Sequence, residues 1–252
     1  MINTNSLSTF ADLDVLAQQA NRLLKKLPPE IIENYSQDFD IRYAHESTAI
    51  EGNTLTLREV ALLIVDQISV GGKKLREIYE VTNHHKAFSY VRRLIEDGQE
   101  LDEEILKNIH EIIMENIIPG GAYRAYPVRI TGASFSPPDQ YRLREEMKFF
   151  FMDLPKKRKL HPLECAAWTH AEFVRIHPFV DGNGRTARMI INFEMMRQGF
   201  FPVAIKTADR EKYYEALDVY ATEGQLDSFI ELLCHCEQET LLDFLALYQK
   251  KS

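Results

Sequence analysis

HPFVDGNGRTAR, residues 177–188, decides how the rest of this chain is read. In one short run it places a histidine (His177), a carboxylate (Asp181), two glycines around Asn183, and two guanidiniums (Arg185 and Arg188). Gly182 and Gly184 let consecutive backbone amides turn toward an anion with no Cβ in between. The continuation RTARMIINFEMMRQG, residues 185–199, has helical character and stops at Gly199. The glycines therefore open a helix, where unpaired N–H groups and the macrodipole both favour phosphate. Arg185 and Arg188 fall at the start of that helix, three apart and on one side. Cations are disfavoured there unless an anion answers them, so the run reads as a nucleotide triphosphate site rather than a plain turn.

Context excludes two other phosphate motifs. A P-loop ends its glycine loop in Gly-Lys-Ser/Thr, which is missing here. Gly182, Gly184 and Ala187 do satisfy GxGxxA, but that dinucleotide fingerprint follows a strand. The preceding residues 161–176 carry Pro162 near the start and Leu163, Ala166, Ala167, Phe173 and Val174 at helical spacing, so the context is helix, loop, helix.

On these residues the run resembles the signature of the Fic/Doc family, without a departure. The resemblance implies an all-α fold: a Fic-type helical bundle with one β-hairpin flap. It also implies an enzyme, a protein adenylyltransferase that moves AMP from ATP to a Ser, Thr or Tyr hydroxyl of a target protein. Carried over residue by residue, it makes His177 the general base and Asp181 the Mg²⁺ ligand. Gly182, Asn183 and Gly184 become the anion cradle, and Arg185 and Arg188 the clamps on the β- and γ-phosphates. The chemistry agrees independently: a histidine with an ordinary pKa of about 6.5 can take a hydroxyl proton near neutrality, and one carboxylate plus phosphate oxygens is the usual way to hold Mg²⁺.

Upstream, Leu13, Leu16, Ala20, Leu23, Leu24 and Leu27 predict a helix from Ser8 that ends at Pro28 and Pro29, and a second helix covers residues 29–35. Ile41, Ala44, His45, Thr48 and Ala49 predict a further helix at about 40–52, closed by Gly52 and Asn53. Thr56 and Glu59 read as a capping box opening the next, through about Ile68. Ser47, three intervening residues, Glu51 and Gly52 also resemble the inhibitory-helix motif of many Fic proteins. By that resemblance Glu51 pairs with Arg188, fills the place of the γ-phosphate and autoinhibits the enzyme. The implied division is residues 1–80, a helical extension with the inhibitory helix, and residues 81–252, the Fic core with C-terminal packing helices, or one compact domain holding both.

Downstream of Gly71 and Gly72 a long helix covers residues 74–95; its adjacent His84 and His85 diverge and read as structural or surface groups. Asp102 caps a helix with a core stripe at Ile105, Leu106, Ile109, Ile112 and Ile113. Residues 120–140 break from helical character, and the alternation Val128, Arg129, Ile130, Thr131 makes them a hairpin candidate, the alternative being an ordinary connecting loop. Their position resembles the family's flap, on which a target protein docks by strand addition around residues 123–134. Residues 201–205 predict a short strand. Asp209 caps a helix carrying Tyr213 and Tyr214; the resemblance places at least one of them in the adenine pocket. Residues 225–249 read as packing helices.

Bulk properties narrow the classes. At 252 residues and 45% hydrophobic the chain can bury a substantial core, and a net charge of −8 argues against nucleic-acid binding. The one basic cluster, residues 156–159, lacks aromatics and reads as a solvated loop. Three cysteines, with Cys234 and Cys236 flanking His235, fit buried thiols in a reducing, cytoplasmic compartment rather than a metal site. The first residues have neither a basic nor an apolar leader segment, and no run is long enough to span a membrane. Other functions stay open: a hydrolase that uses Glu51 to strip AMP, transfer of another nucleotide or phosphate-containing group, and a nucleotide-sensing module without turnover. Self-modification and a homodimer are equally open.

Overall fold

The structure, a computed structural model, describes residues 9–248, so the expectations for the N-terminal leader and the extreme ends of the two-part division lie outside the described residues. The elements are α1 (Phe10–Leu24), α2 (Pro29–Ala49), α3 (Leu57–Ile64), α4 (Leu75–Glu96), α5 (Glu103–Met114), α6 (Leu143–Lys157), α7 (Pro162–Ile176), α8 (Asn183–Arg197), α9 (Arg210–Glu223) and α10 (Asp227–Tyr248), with a 3₁₀ turn at Thr207–Asp209. Their starts follow local chemistry. Thr9 and Asp12 form a capping box on α1, Thr56 and Glu59 the expected one on α3, and Asp102 accepts the Ile105 amide at 2.7 Å to open α5. The two helices expected over 29–35 and about 40–52 are one, because no Gly or Pro interrupts α2 after Pro29.

The pair α7 and α8 forms the centre. On one side α1, α9 and α10 close a cluster that includes Leu13, Ala20, Tyr213, Phe229 and Phe244. On the other, α4, α5 and α6 bring Phe88, Ile109 and Phe150 against Trp168, Phe173 and Phe193. A smaller cluster of Ala44, Leu55, Val60 and Val81 fastens α2 to α3 and α4. Tyr43 locks α2 to the centre: its fully buried ring meets Phe39 and Phe88, and its hydroxyl donates to the Arg188 carbonyl at 2.7 Å. The end of α2 is thus held over the start of α8.

The β elements expected from the sequence do not form among the described residues. Residues 123–134, the expected hairpin flap, run without helix or strand. A lone two-stranded ribbon with no third strand is marginal in water, and here the backbone is held by side chains instead. The strand expected at 201–205 fails for a related reason. Asn192 supplies its ladder, accepting the Val203 amide at 2.8 Å and donating to the Val203 carbonyl at 2.9 Å, while the Phe201 amide goes to Glu237. The basic cluster also departs from a solvated loop: α6 continues through Pro155 to Lys157, and Arg158 forks onto buried Glu194 at 2.7 and 3.0 Å.

Glu237 is a carboxyl sealed in the α1–α10 cluster; Oε1 accepts the Phe201 amide at 3.0 Å and Oε2 has no partner among the described residues. Burial pushes its pKa up to about 8 against the Phe201 amide's opposing pull, so the folded chain keeps a proton that the unfolded chain releases above about 4.5. A raised folded value contributes stability that is complete below the unfolded value and lost as pH rises through the folded one. Glu237→Gln should remove that loss. Urea unfolding of the variant and the parent should differ little at pH 4.5, then diverge in the variant's favour by roughly 1.4 kcal/mol per pH unit up to about pH 8. Parallel curves would show that Glu237 ionises freely.

Candidate active site

His177 ends α7. It is the C-cap, in the left-handed region at φ 51°, with its amide on the Phe173 carbonyl at 2.9 Å. A non-glycine residue there costs about 1 kcal/mol or more, which the surrounding contacts must hold. The turn swings the chain into the loop 178–182, and Asn183 braces that loop by bonding both the amide (3.0 Å) and the carbonyl (2.9 Å) of Phe179. The side chain of Asn183 is therefore structural, and only its backbone faces the anion-favouring helix start. Gly182 opens α8 at φ 74°, where a Cβ would lie 2.6 Å from Met114 Sδ.

Two residues unmarked by the sequence reading hold this loop. His110 on α5 accepts the Gly121 amide at Nδ1 (2.9 Å), so its Nε2 carries the proton and donates to the Asp181 carbonyl at 2.9 Å, with the ring stacked on Phe179 at 3.6 Å. Arg124 lies buried between the irregular segment and the loop. Its Nε donates to the His177 carbonyl (2.9 Å), its two terminal nitrogens to the Tyr126 and Pro138 carbonyls (3.0 and 2.6 Å), and its amide to the Pro178 carbonyl (2.9 Å). Neither announces itself, because a lone histidine or arginine beside apolar residues looks the same whatever it meets across the fold.

Both motif arginines are almost fully buried and converge on one carboxylate. Glu51 Oε1 accepts Arg188 Nη2 at 2.6 Å and Oε2 accepts Arg185 Nε at 3.1 Å. Arg188 also donates to Ser47 Oγ (2.8 Å), the Ser47 carbonyl (2.7 Å) and the Tyr213 hydroxyl (3.2 Å). Arg185 also reaches Asp181 Oδ1 at 3.2 Å. A Cβ at Gly184 would come within 2.4 Å of Glu51 Oε1, so Glu51 rests on the surface that the missing side chain leaves open. The resemblance implied a pair with Arg188; the structure adds Arg185.

Asp181 gives Oδ1 to the Gly182 amide (2.6 Å) and to Arg185, and Oδ2 to Arg76 of α4. Burial alone would raise its pKa, but Arg185, the Gly182 amide and Arg76 hold it below the ordinary value, so it is an anion at neutrality. No cluster of three His, Cys, Asp or Glu side chains suited to a metal exists among the described residues. A lone hard carboxylate beside a phosphate site fits Mg²⁺, which takes one or two carboxylates and fills its shell from phosphates and water. Burial, helped by Arg124 and opposed by the Val174 carbonyl, Glu51 and Asp181, brings the His177 imidazole down to about 4. It is therefore neutral at pH 7 and free to accept a proton.

A pocket of about 580 Å³ is lined by His177, Glu51, Gly184 and Arg188 together with the apolar Ile130, Phe135 and Leu217. Both expected tyrosines line the pocket, with different surroundings. Tyr213 is buried, its hydroxyl between Arg188 and His170 Nε2 (3.0 Å), so it backs the arginine. Tyr214, 42% exposed, stands on the wall with Arg210 over its ring at 5.4 Å. Asp218 of α9 clasps the Ser134 amide at 2.8 Å and the Ser134 hydroxyl, so the irregular segment closes the pocket's far side.

Residues 100–195 match the sequence model described as the Fic/DOC family. The "Protein adenylyltransferase Fic" of Nematostella vectensis is 36% identical over 208 residues, which is 81% of this chain and 48% of that protein. Its namesake from Drosophila willistoni is 32% identical over 204 residues, 79% of this chain and 40% of that protein. The chain thus spans less than half the length of these curated relatives. Fic-1 from C. elegans superposes with a TM-score of 0.82 at 26% identity, over 96% of this chain and 72% of that one. A Fic domain containing signaling protein from Bacteroides thetaiotaomicron shares the fold, with a TM-score of 0.80 at 24% identity over 94% and 98%. The signature run, the helices that carry it and these likenesses agree: the chain belongs to the Fic/DOC family.

Proposed function

We propose that the chain is a protein adenylyltransferase held at rest by Glu51. One observation carries this: two buried guanidiniums, set at a glycine-opened helix start beside a neutral histidine, are both satisfied by a single carboxylate from the turn that ends α2. Buried arginines that converge so are built for an anion with several oxygens, and Glu51 supplies a substitute. With Glu51 withdrawn, Arg185 and Arg188 would grip the β- and γ-phosphates of ATP. The amides that open α8 would face the α-phosphate, and Tyr214 would wall the base. Asp181 would hold Mg²⁺, which when bound neutralises phosphate charge.

A target hydroxyl then attacks the α-phosphorus. The new O–P bond forms as the bond to the β-phosphate oxygen breaks, pyrophosphate leaves, and His177 takes the hydroxyl proton. Residues 123–134 serve as the docking flap. They line the pocket without helix or strand of their own, and an extended target segment would supply a strand partner. On this reading residues 1–80 regulate and residues 81–252 catalyse. A second reading, removal of AMP by water, is favoured by one feature: Glu51 lies in the same pocket as His177 and could orient a water there.

Labelled ATP tests the reaction. Label at the α-phosphate should appear on protein, label at the γ-phosphate should not, and pyrophosphate should form one for one with the modification. Transfer of γ-label would make the chain a kinase and end this reading.

A further inference from the structure

Beside the Glu51 contact, the site holds a second ion pair that the transfer chemistry does not use. Arg76, in the first turn of α4 and 105 residues away in sequence, donates from Nη2 to Asp181 Oδ2. Its Nε stays on Glu80 Oε1 at 3.0 Å, one turn along the same helix. The other carboxylate oxygen of Asp181 is occupied by Arg185 and the Gly182 amide. A divalent cation needs a bare oxygen, and on this carboxylate the oxygen that would serve is covered by Arg76.

The two guanidiniums on Asp181 differ in their freedom. Arg185 has 2% of its side chain exposed and is fixed by Glu51 and by Glu80 at 3.6 Å; Arg76 has 52% exposed. Arg76 can leave by rotating its side chain into water while keeping Glu80, with no change to the core, and a half-exposed pair of this kind is worth little enough to be displaced.

We propose that Arg76 is a resident cation on the metal-binding carboxylate, competing with Mg²⁺ for Asp181 and so setting the metal concentration at which the nucleotide site fills. The closed site then carries an anion, Glu51, where phosphate belongs and a cation, Arg76, where metal belongs. Arg185 bonds both carboxylates and so joins the two places. The inference rests on the reading of Asp181 as the metal contact.

The test is calorimetric titration of the full chain with ATP at stepped Mg²⁺ concentrations, in a Glu51→Gly background so that the nucleotide can seat. Arg76→Ala should lower the half-saturating Mg²⁺ concentration roughly fivefold, the scale of one partly exposed ion pair, and leave ATP affinity at saturating Mg²⁺ within about twofold of the parent. Arg76→Lys, which keeps the charge but cannot span Glu80 and Asp181 together, should fall between. Lys74→Ala, which removes a cation from the start of the same helix without touching Asp181, should leave the Mg²⁺ midpoint where it was. An unchanged midpoint in Arg76→Ala, with Asp181→Ala losing its Mg²⁺ dependence, overturns the role of Arg76 alone. An equal shift in Lys74→Ala does so too, by reducing the effect to general charge. If Asp181→Ala keeps the parent's Mg²⁺ dependence, the metal reading beneath it fails instead.

Discussion

Glu51→Gly should raise protein labelling from α-labelled ATP by about two orders of magnitude, beginning with self-modification. Two unit charges 4 Å apart interact by about 4 kcal/mol at an effective dielectric near 20, and about half of that survives for a carboxylate a quarter exposed to solvent, which corresponds to roughly thirtyfold, the steric block supplying the rest. The block is steric as well, because Oε1 rests where a phosphate oxygen would meet Gly184. The substitution leaves the arginines aimed: Arg188 keeps Ser47 and Tyr213, and Arg185 keeps Asp181. It also leaves buried positive charge short of an anion, so the variant should melt lower than the parent without ligand and gain more from MgATP. Glu51→Gln, which keeps the shape without the charge, should lie between. A Glu51→Gly protein that labels no faster than the parent would remove Glu51 from its inhibitory place. One that also fails to clear AMP from a pre-labelled protein cleared by the parent would favour the hydrolase reading.

The parts of this site that were legible in the sequence are those whose chemistry is carried by neighbours along the chain. His177, Asp181, the glycines and the two arginines fall within a loop and one helix start, so spacing alone fixes which of them can face one ligand. Ser47 and Glu51 share a helix end, and Gly52 at φ 98° marks where it stops. The parts that were not legible depend on contacts between distant segments. His110 bonds the loop across 71 residues, Arg124 across 53 and Arg76 across 105, and nothing beside them in sequence marks them. Tyr213 and Tyr214 show the limit within one helix. Their rings lie 5.2 Å apart and both line the pocket, yet only Tyr213 reaches Arg188 while the Tyr214 hydroxyl turns to the Ile50 carbonyl, and only the positions of α2 and α8 decide which. The hairpin was expected from alternation at 128–131, yet alternation predicts a strand only where a partner exists. Arg124 and Asp218 bind the segment's polar groups instead.

His177→Ala should lower transfer by at least about a hundredfold, the usual contribution of a positioned base, and leave MgATP affinity nearly unchanged. The split follows from position. Arg185, Arg188 and Glu51 form one connected set, whereas His177 sits at the end of α7 across the pocket, anchored through its backbone to Phe173 and Arg124. Its imidazole can therefore be removed without disturbing the phosphate grip. Because alanine tolerates the left-handed backbone poorly, His177→Asn is the better folded comparison, and it should be equally inactive. The pH profile provides an independent check. With the imidazole value lowered to about 4, the proton-accepting form is complete above roughly pH 5, so transfer by Glu51→Gly should be flat from pH 6 to 8 and fall only as pH drops toward 4. Glu51→Gly combined with His177→Asn should bind MgATP as tightly as Glu51→Gly alone and carry no label at any pH in that range. Labelling by the double variant at the rate of the single one would mean that the hydroxyl loses its proton elsewhere, and His177 would keep only its part in shaping the turn.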